Sequence, residues 1–491
     1  MVIVWLWSEQ MDAFSTQKNT KKLRLFMAVA AAGMLLFYLF LPVAPVRWHD
    51  LYLSYGKTAI VAMAAVYFFS CGLSGVIEVK LVIFYTIWFF LTRLLNTDLY
   101  LQNELDITLS RVLCCVMLPV GLLLGPDERR RLLDFVVAVF CGFYFVTALI
   151  GLYACIFGVY FYLPPEQVVF GINNFYFGYS FYYIIAWETN RTISAVWFYL
   201  AWCMMTYEFF RCKNKLWRIP ICIAWFIFYL SVAFCFCRSV KLAVCFNAAM
   251  LAVLAGVRYI RLRPRALKAL VLALLAAASL LVTYKSFDVL IKASAYAYNQ
   301  LDTDIERTSD VFFGSNYVKR NEEYQSFDDT RDLKTSASKL SGRLALYKTV
   351  LPALKAEPRR IFIGKLSHKL MDYTRAVMKY PYYHIHNYLL QVLLLTGVPG
   401  FLLVLAFSLL LVYRCVRFFF SKASLSDRLL VLPISGVLLY GMLETIIFTD
   451  SADQRALTDF RELFFFFVAG IVLAFFYEQF PSRGTQHSSL E

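Results

Sequence analysis

Charge is scarce in this sequence. Only 16% of its 491 residues are Asp, Glu, Lys or Arg, against about a quarter in soluble domains. That scarcity, with 60% hydrophobic and 18% aromatic residues and a mean hydropathy of +0.61, excludes an ordinary soluble domain. Histidine is rarer still, with five in the chain and no helical H-E-x-x-H zinc signature. No C-x-x-C pair occurs, and none of the twelve cysteines falls in the large polar segment from Ser286 to Tyr383. A disulfide framework there is excluded, and nothing suggests a cysteine zinc site. Lys21, Lys22 and Arg24 precede an apolar run without a small-residue cleavage site, so no cleavable signal is expected. No internal repeat and no low-complexity tract is present.

What remains is a series of apolar runs, each long enough to cross a bilayer at roughly 20 residues. About twelve are expected, at 25–44, 58–76, 81–97, 106–125, 133–157, 195–210, 217–236, 239–257, 267–285, 390–413, 428–448 and 461–478. The net charge of +15 is not a nucleic-acid footprint, because the basic residues fall in short clusters between those runs. They are Arg129 to Arg131; Arg211, Lys213, Lys215 and Arg218; Arg258, Arg261, Arg263, Arg265 and Lys268; and Arg414, Arg417, Lys422 and Arg428. All lie on one side, the cytoplasm if both termini are cytoplasmic.

The expected organisation is therefore a cytoplasmic N-terminus at 1–24 and nine spans within 25–285. An extracytoplasmic loop at 286–386, three spans within 387–478 and a cytoplasmic tail at 479–491 follow. The loop is far longer than an ordinary connection. It opens polar, then in "SGRLALYKTVLPALKAEP" places Leu344, Tyr347, Val350, Leu351 and Leu354 at helical spacing. That predicts an amphipathic helix capped by Ser338 or Ser341, stopped near Pro358 and kinked or ended early by Pro352. A second outward connection, about 158–194, is rich in aromatics that could stack on sugars or form an interfacial belt.

Polar groups against a membrane are costly, so isolated ones are candidate functional groups. Arg191 stands at the mouth of the sixth run, and Arg238 in the short turn between the seventh and eighth, with apolar sequence on both sides. Arg343 opens the amphipathic helix, where a cation opposes the helix dipole unless an anion is bound there; a solvated arginine is the alternative. His384 and His386 form an H-x-H before an apolar run. They admit three readings: a metal site short of ligands, one catalytic base, or an interfacial pair beside Tyr382, Tyr383 and Tyr388. Asp302 and Asp304 have a D-x-D spacing that could hold a divalent metal, or lie in a solvated loop. Gly397, Pro399 and Gly400 are expected to break the run after His386, leaving a short helix before the true span. A transporter would instead carry ionisable residues midway through its spans and repeat its halves. Mid-span charge is nearly absent here, Glu444 in the eleventh run being the exception.

With these residues in view, the chain resembles the O-antigen ligase and polymerase family of bacterial membrane glycosyltransferases. "NRTISAVW" is similar to the family's R-x-x-G/S stretch, and "CFCRSVKLAV" to its S-R-x-x-x-L segment, with Cys237 in place of the serine. "SGRLALYKTVLPALKAEPRRIFIGK" resembles its R-x-x-x-W/Y…P…G stretch, with Lys365 after Gly364. "HNYLLQVLLLTGVPGFLL" resembles its H-N/S-x-x-L…G-x-x-G ending. The resemblance implies an all-α polytopic membrane protein of about twelve spans with one large extracytoplasmic loop (GT-C-like) in a bacterial cytoplasmic membrane. It implies transfer of a glycan from undecaprenyl diphosphate to a hydroxyl of a glycolipid or glycan acceptor, inverting and without a metal or other cofactor. A flippase for lipid-linked glycans is the alternative from another class. Within the family, the single dominant loop favours a ligase over a polymerase. Arg238, Arg343 and Arg191 are then expected to stabilise the diphosphate. His386 is expected to activate the acceptor, with His384 and Asn387, a cap for the following helix, supporting it.

Overall fold

The computed structural model describes residues 17–40, 76–96, 112, 114, 116–157, 160–163, 175–180, 183–185, 191–235, 237–260, 264–300, 317–318, 347–348, 350, 352, 354–355, 358–364, 385–444, 448 and 460–480. In chain order these form α1 (Gln17–Phe40), α2 (Ile77–Leu95), α3 (Val120–Leu123) and α4 (Pro126–Phe157). Three strands follow, β1 (Tyr160–Leu163), β2 (Phe175–Ser180) and β3 (Tyr183–Ile185). Next come α5 (Arg191–Arg211), α6 (Lys215–Phe234), α7 (Arg238–Tyr259), α8 (Arg265–Gln300) and β4 (Tyr317–Val318). The rest are α9 (Arg360–Ile363), α10 (Tyr388–Phe419), α11 (Leu425–Leu429), α12 (Val431–Gly441) and α13 (Phe460–Gln479).

Six of these helices are long and apolar enough to cross a membrane, over Pro126–Leu152, Lys215–Phe234, Arg238–Tyr259, Arg265–Leu290, Tyr388–Phe419 and Arg461–Gln479. The chain is a helical, polytopic membrane protein. The expected span at 58–76 up to residue 75, and positions 106–111, 113 and 115 of the expected span at 106–125, lie outside the described residues.

Lipid gives helices no hydrophobic reason to associate, so close packing and interhelical hydrogen bonds hold them. At the end bearing the arginine clusters, fully buried Glu78 accepts from Arg414 Nε at 3.0 Å and from the Tyr477 hydroxyl at 2.8 Å. These contacts join α2, α10 and α13. Arg129 bonds Glu478 at 2.8 Å and the Gly121 and Leu124 carbonyls, and Arg130 bonds Asp427 at 2.9 Å. Deeper in the bundle, Asn247 of α7 donates to the Tyr199 hydroxyl at 2.6 Å and to the Leu432 carbonyl at 3.0 Å. Tyr199 donates to that same carbonyl, which joins α5, α7 and α12. By contrast, none of the membrane-length window of α8 is buried. α8 is a peripheral helix of about 54 Å, at 1.5 Å per residue over its 36 residues.

Four features differ from the sequence expectation. The arrangement is not wholly helical: a four-stranded antiparallel sheet, ordered β3-β2-β1-β4, pairs the two predicted outward connections through Phe161↔Tyr317 and Tyr160↔Val318. The described positions from 347 to 355 are helical, and Pro352 is among them. Within the eleventh run α12 ends at Gly441, so Glu444 stands in the turn after it instead of mid-span. Charges are also embedded near helix ends, at Arg93, Arg461 and Glu462, all under a tenth exposed.

Candidate active site

α10 is two helices joined at a break. Gly397 takes φ +69°, ψ −171°, which divides a nine-residue helix after Asn387 from the long membrane segment. Glycine adopts this conformation without a Cβ penalty. Gly364, at φ +68°, ends α9 in the same way, and the two glycines lie against each other's segments. A Cβ on Gly397 would meet the Ile361 carbonyl oxygen at 2.6 Å and the Phe362 carbonyl closer still. One on Gly364 would meet the backbone of Leu395 and Thr396. The 358–364 segment is thus docked backbone to backbone on the break. The C-terminal part of α2 holds both sides of this contact: Trp88 donates to the Thr396 carbonyl of α10 at 2.7 Å, while Arg359 donates to the Leu95 carbonyl at 2.9 Å and Arg360 to Asn96.

Beside this contact, Val350 and Leu354 of the loop pack with Ile385 and Leu394, flanked by Tyr347, Ile361, Leu390 and Leu393. This second hydrophobic cluster docks the amphipathic loop helix beside His386. The Tyr347 hydroxyl donates to the His386 carbonyl at 2.8 Å.

His386 itself lies in the left-handed region, at φ +56°. A non-glycine residue there costs about 1–2 kcal/mol, and such strain persists only where the surroundings impose it. The surroundings do so from both sides. Asn387 caps the short helix, its Oδ1 accepting from Leu390 N at 3.0 Å, while its Nδ2 donates to the Met442 carbonyl at 3.0 Å. Ile385 N donates to Gln391 Oε1 at 3.0 Å. The His386 ring meets Glu444: Nδ1 and Oε2 are 2.6 Å apart, with the side chains 21% and 12% exposed. A carboxylate on one imidazole nitrogen orients a base for proton transfer at the other.

Arg238 is the first residue of α7 and is exposed. α7 and α12 run antiparallel: Arg258 near the end of α7 acts electrostatically on Arg428, just before α12, and the two helices meet at the Asn247–Leu432 bond. From there each continues nine residues, about 13.5 Å at 1.5 Å per residue, to Arg238 and to Gly441 beside the Glu444 turn. Arg238 therefore shares the His386 end of the bundle. One turn further along α7, Lys241 bonds Asp288 at 2.6 Å and lies 3.8 Å from the Tyr284 ring centre, pinning α8 to this end. Arg191 opens α5, but its side chain lies outside the described residues. Arg343, His384, Asp302 and Asp304 lie wholly outside them. Among the described residues no cluster of three or more His, Cys, Asp or Glu is placed to hold a metal.

Residues 223–405 match the family model described as O-antigen ligase. That segment is similar to the O-antigen ligase family. The match covers Arg238, Arg343, His384, His386 and Asn387, together with Gly364 and Gly397; Arg191 and Glu444 fall beyond it. No curated protein matches the chain significantly. The family match and the membrane-length helices together support a membrane glycosyltransferase of the ligase or polymerase type. The sequence reading passed over Glu444 as a site residue, along with Tyr347, Trp88 and the two facing glycines. Glu444 had one signal, as the one charge away from the start of its apolar run.

Proposed function

We propose that this O-antigen ligase-type enzyme transfers a glycan from undecaprenyl diphosphate to an acceptor hydroxyl at the outer face of a bacterial cytoplasmic membrane. The reaction inverts the anomeric centre and uses no metal. The chain crosses the membrane about twelve times, and the end bearing His386 faces the periplasm or the cell exterior. The observation that carries this reading is His386, held in a strained backbone corner within the family segment with a carboxylate on its ring.

His386 takes the proton of the acceptor hydroxyl, supported by Asn387 as helix cap and by His384 nearby in sequence. Departure of a lipid diphosphate builds negative charge, which fixed guanidinium groups stabilise in a water-poor site. Arg238 and Arg343 supply this, with Arg191 as a third. Arg343 precedes Tyr347 by four residues, the spacing of one helical face, and Tyr347 bonds the His386 carbonyl.

The test is transfer by the purified protein in lipid nanodiscs, from an undecaprenyl-diphosphate glycan to lipid A core acceptor. His386→Ala and Arg238→Ala should each lower the rate by at least about 100-fold, the scale of a lost base or oxyanion partner, and EDTA should leave it unchanged. A ladder of lengthened lipid-linked chains without acceptor would instead identify a polymerase. Full activity of His386→Ala would refute the base assignment, and full activity of Arg238→Ala the diphosphate site.

A further inference from the structure

We propose that Glu444 is the positioning residue for the His386 imidazole, fixing the tautomer in which Nδ1 carries the proton and Nε2 carries the lone pair. The inference rests on the reading of His386 as the base, and it adds a residue beyond the family segment.

The chemistry follows from the donor and acceptor inventory. An ionised carboxylate only accepts, so at 2.6 Å a neutral ring must donate Nδ1–H to Glu444 Oε2. The turn carrying Glu444 is itself fixed. Its Leu443 and Glu444 amides donate to the Tyr440 carbonyl at 2.9 and 2.8 Å, and Asn387 holds the Met442 carbonyl. The other side of the pair is fixed as well, by the Tyr347 bond to the His386 carbonyl and by the Asn387 cap. Two adjacent residues, 386 and 387, thus reach the same three-residue turn, one through a ring and one through an amide. The amide bond alone fastens the backbone; the ring–carboxylate bond does what the amide cannot, which is to set the proton's position on the imidazole.

In the transfer step the acceptor O–H gives its proton to Nε2. The acceptor oxygen's electron pair forms the bond to the anomeric carbon, and the carbon–oxygen bond to the diphosphate breaks with its pair on the departing phosphate. Nδ1 keeps its proton throughout. The carboxylate stays ionised and offsets the charge of the imidazolium, which then releases its new proton to water.

Glu444→Gln tests this, because it preserves shape and leaves the Asn387–Met442 bond in place. Its amide can donate to Nδ1 and so favour the reverse tautomer, with the proton on Nε2 and no base. The expected result is a fall in kcat of about 100-fold or more, with KM within about twofold. Glu444→Asp should recover part of the loss. In a His386→Ala background Glu444→Gln should cost nothing further, since its effect passes through the ring. A second readout does not need activity: ¹⁵N-histidine NMR at a pH where the ring is neutral. With five histidines in the chain, the signals lost in His386→Ala identify its ring. Nδ1 should be protonated in the native protein and Nε2 protonated in Glu444→Gln.

A native spectrum with the proton on Nε2, wild-type kcat in Glu444→Gln, or an additive loss in the double variant would overturn the proposal. If instead the native protein transfers no glycan, or His386→Ala remains active, the base reading fails. The NMR spectrum then still decides whether Glu444 sets the tautomer.

Discussion

Replacing Gly397 with alanine should undock the 358–364 segment from the break in α10. Two costs add. The left-handed backbone at φ +69° costs a residue with a Cβ about 1 kcal/mol. The new methyl would also lie 2.6 Å from the Ile361 carbonyl oxygen, with the Phe362 carbonyl nearer, against a comfortable separation of about 3.5 Å. Both obstacles are backbone, so no side-chain rotation relieves them, and the segment must withdraw by about 1 Å. That withdrawal strains the Arg359–Leu95 and Arg360–Asn96 bonds, each worth about 1 kcal/mol net. The total is about 3 kcal/mol, or more than 100-fold in the docking equilibrium at 1.4 kcal/mol per tenfold. Hydrogen exchange by mass spectrometry on the purified protein reads this directly. The amides of Ile361, Phe362, Ile363 and Gly364 bond carbonyls within 358–360, and they should exchange about 100-fold faster through local opening. Gly364→Ala should have a similar effect. Because the two glycines face one contact, the double variant should cost less than the two singles together. Unchanged exchange in either single variant would refute the docking argument.

Two further outcomes concern the scaffold. Arg414→Met strands the fully buried Glu78 carboxylate and should destabilise the protein by about 3–5 kcal/mol. Adding Glu78→Gln should restore much of that, as read by thermal unfolding in detergent; a double variant no more stable than the single would argue against pairing. Gly436→Ala drives a methyl into the Tyr199 hydroxyl, breaking the Tyr199–Leu432 bond. A loss of about 2–3 kcal/mol is expected for such overpacking, and Tyr199→Phe in the same chain should recover part of it.

The membrane class, the family resemblance and the helix break after His386 were legible because each depends on local sequence. Apolar run length gives spans, Asn387 before a run gives a cap, and Gly397 with Pro399 gives an interruption. What was not legible depends on pairs far apart in the chain. Glu444 reaches His386 across 58 residues, and its run read as one continuous span because hydropathy does not register the end of α12 at Gly441. The strand pairing of Phe161 with Tyr317 joins two connections that hydropathy treats separately. The left-handed backbone of His386 carries no sequence mark either. Glycine advertises positive φ, whereas a histidine there, though less rare than most side chains, is imposed by its neighbours.

The position of the base follows from how membrane proteins are held together. Burial against lipid would not fix a side chain at the surface of a helix bundle, since lipid tails are as apolar as leucine. His386 is placed by directional contacts: Asn387 to Met442, Gln391 to Ile385, Tyr347 to the His386 carbonyl, and Trp88 to Thr396. Each has an end on the short helix or its approach that is tied to another part of the fold or closes the corner itself. The break at Gly397 separates this unit from the membrane-length part of α10, so its orientation need not follow the span's axis. The glycines at 364 and 397 then act at a distance from the chemistry, setting where the short helix lies and hence where the imidazole stands. A variant at either glycine should therefore lower kcat without touching the reacting groups, because a misplacement of about 1 Å is enough to cost about 100-fold.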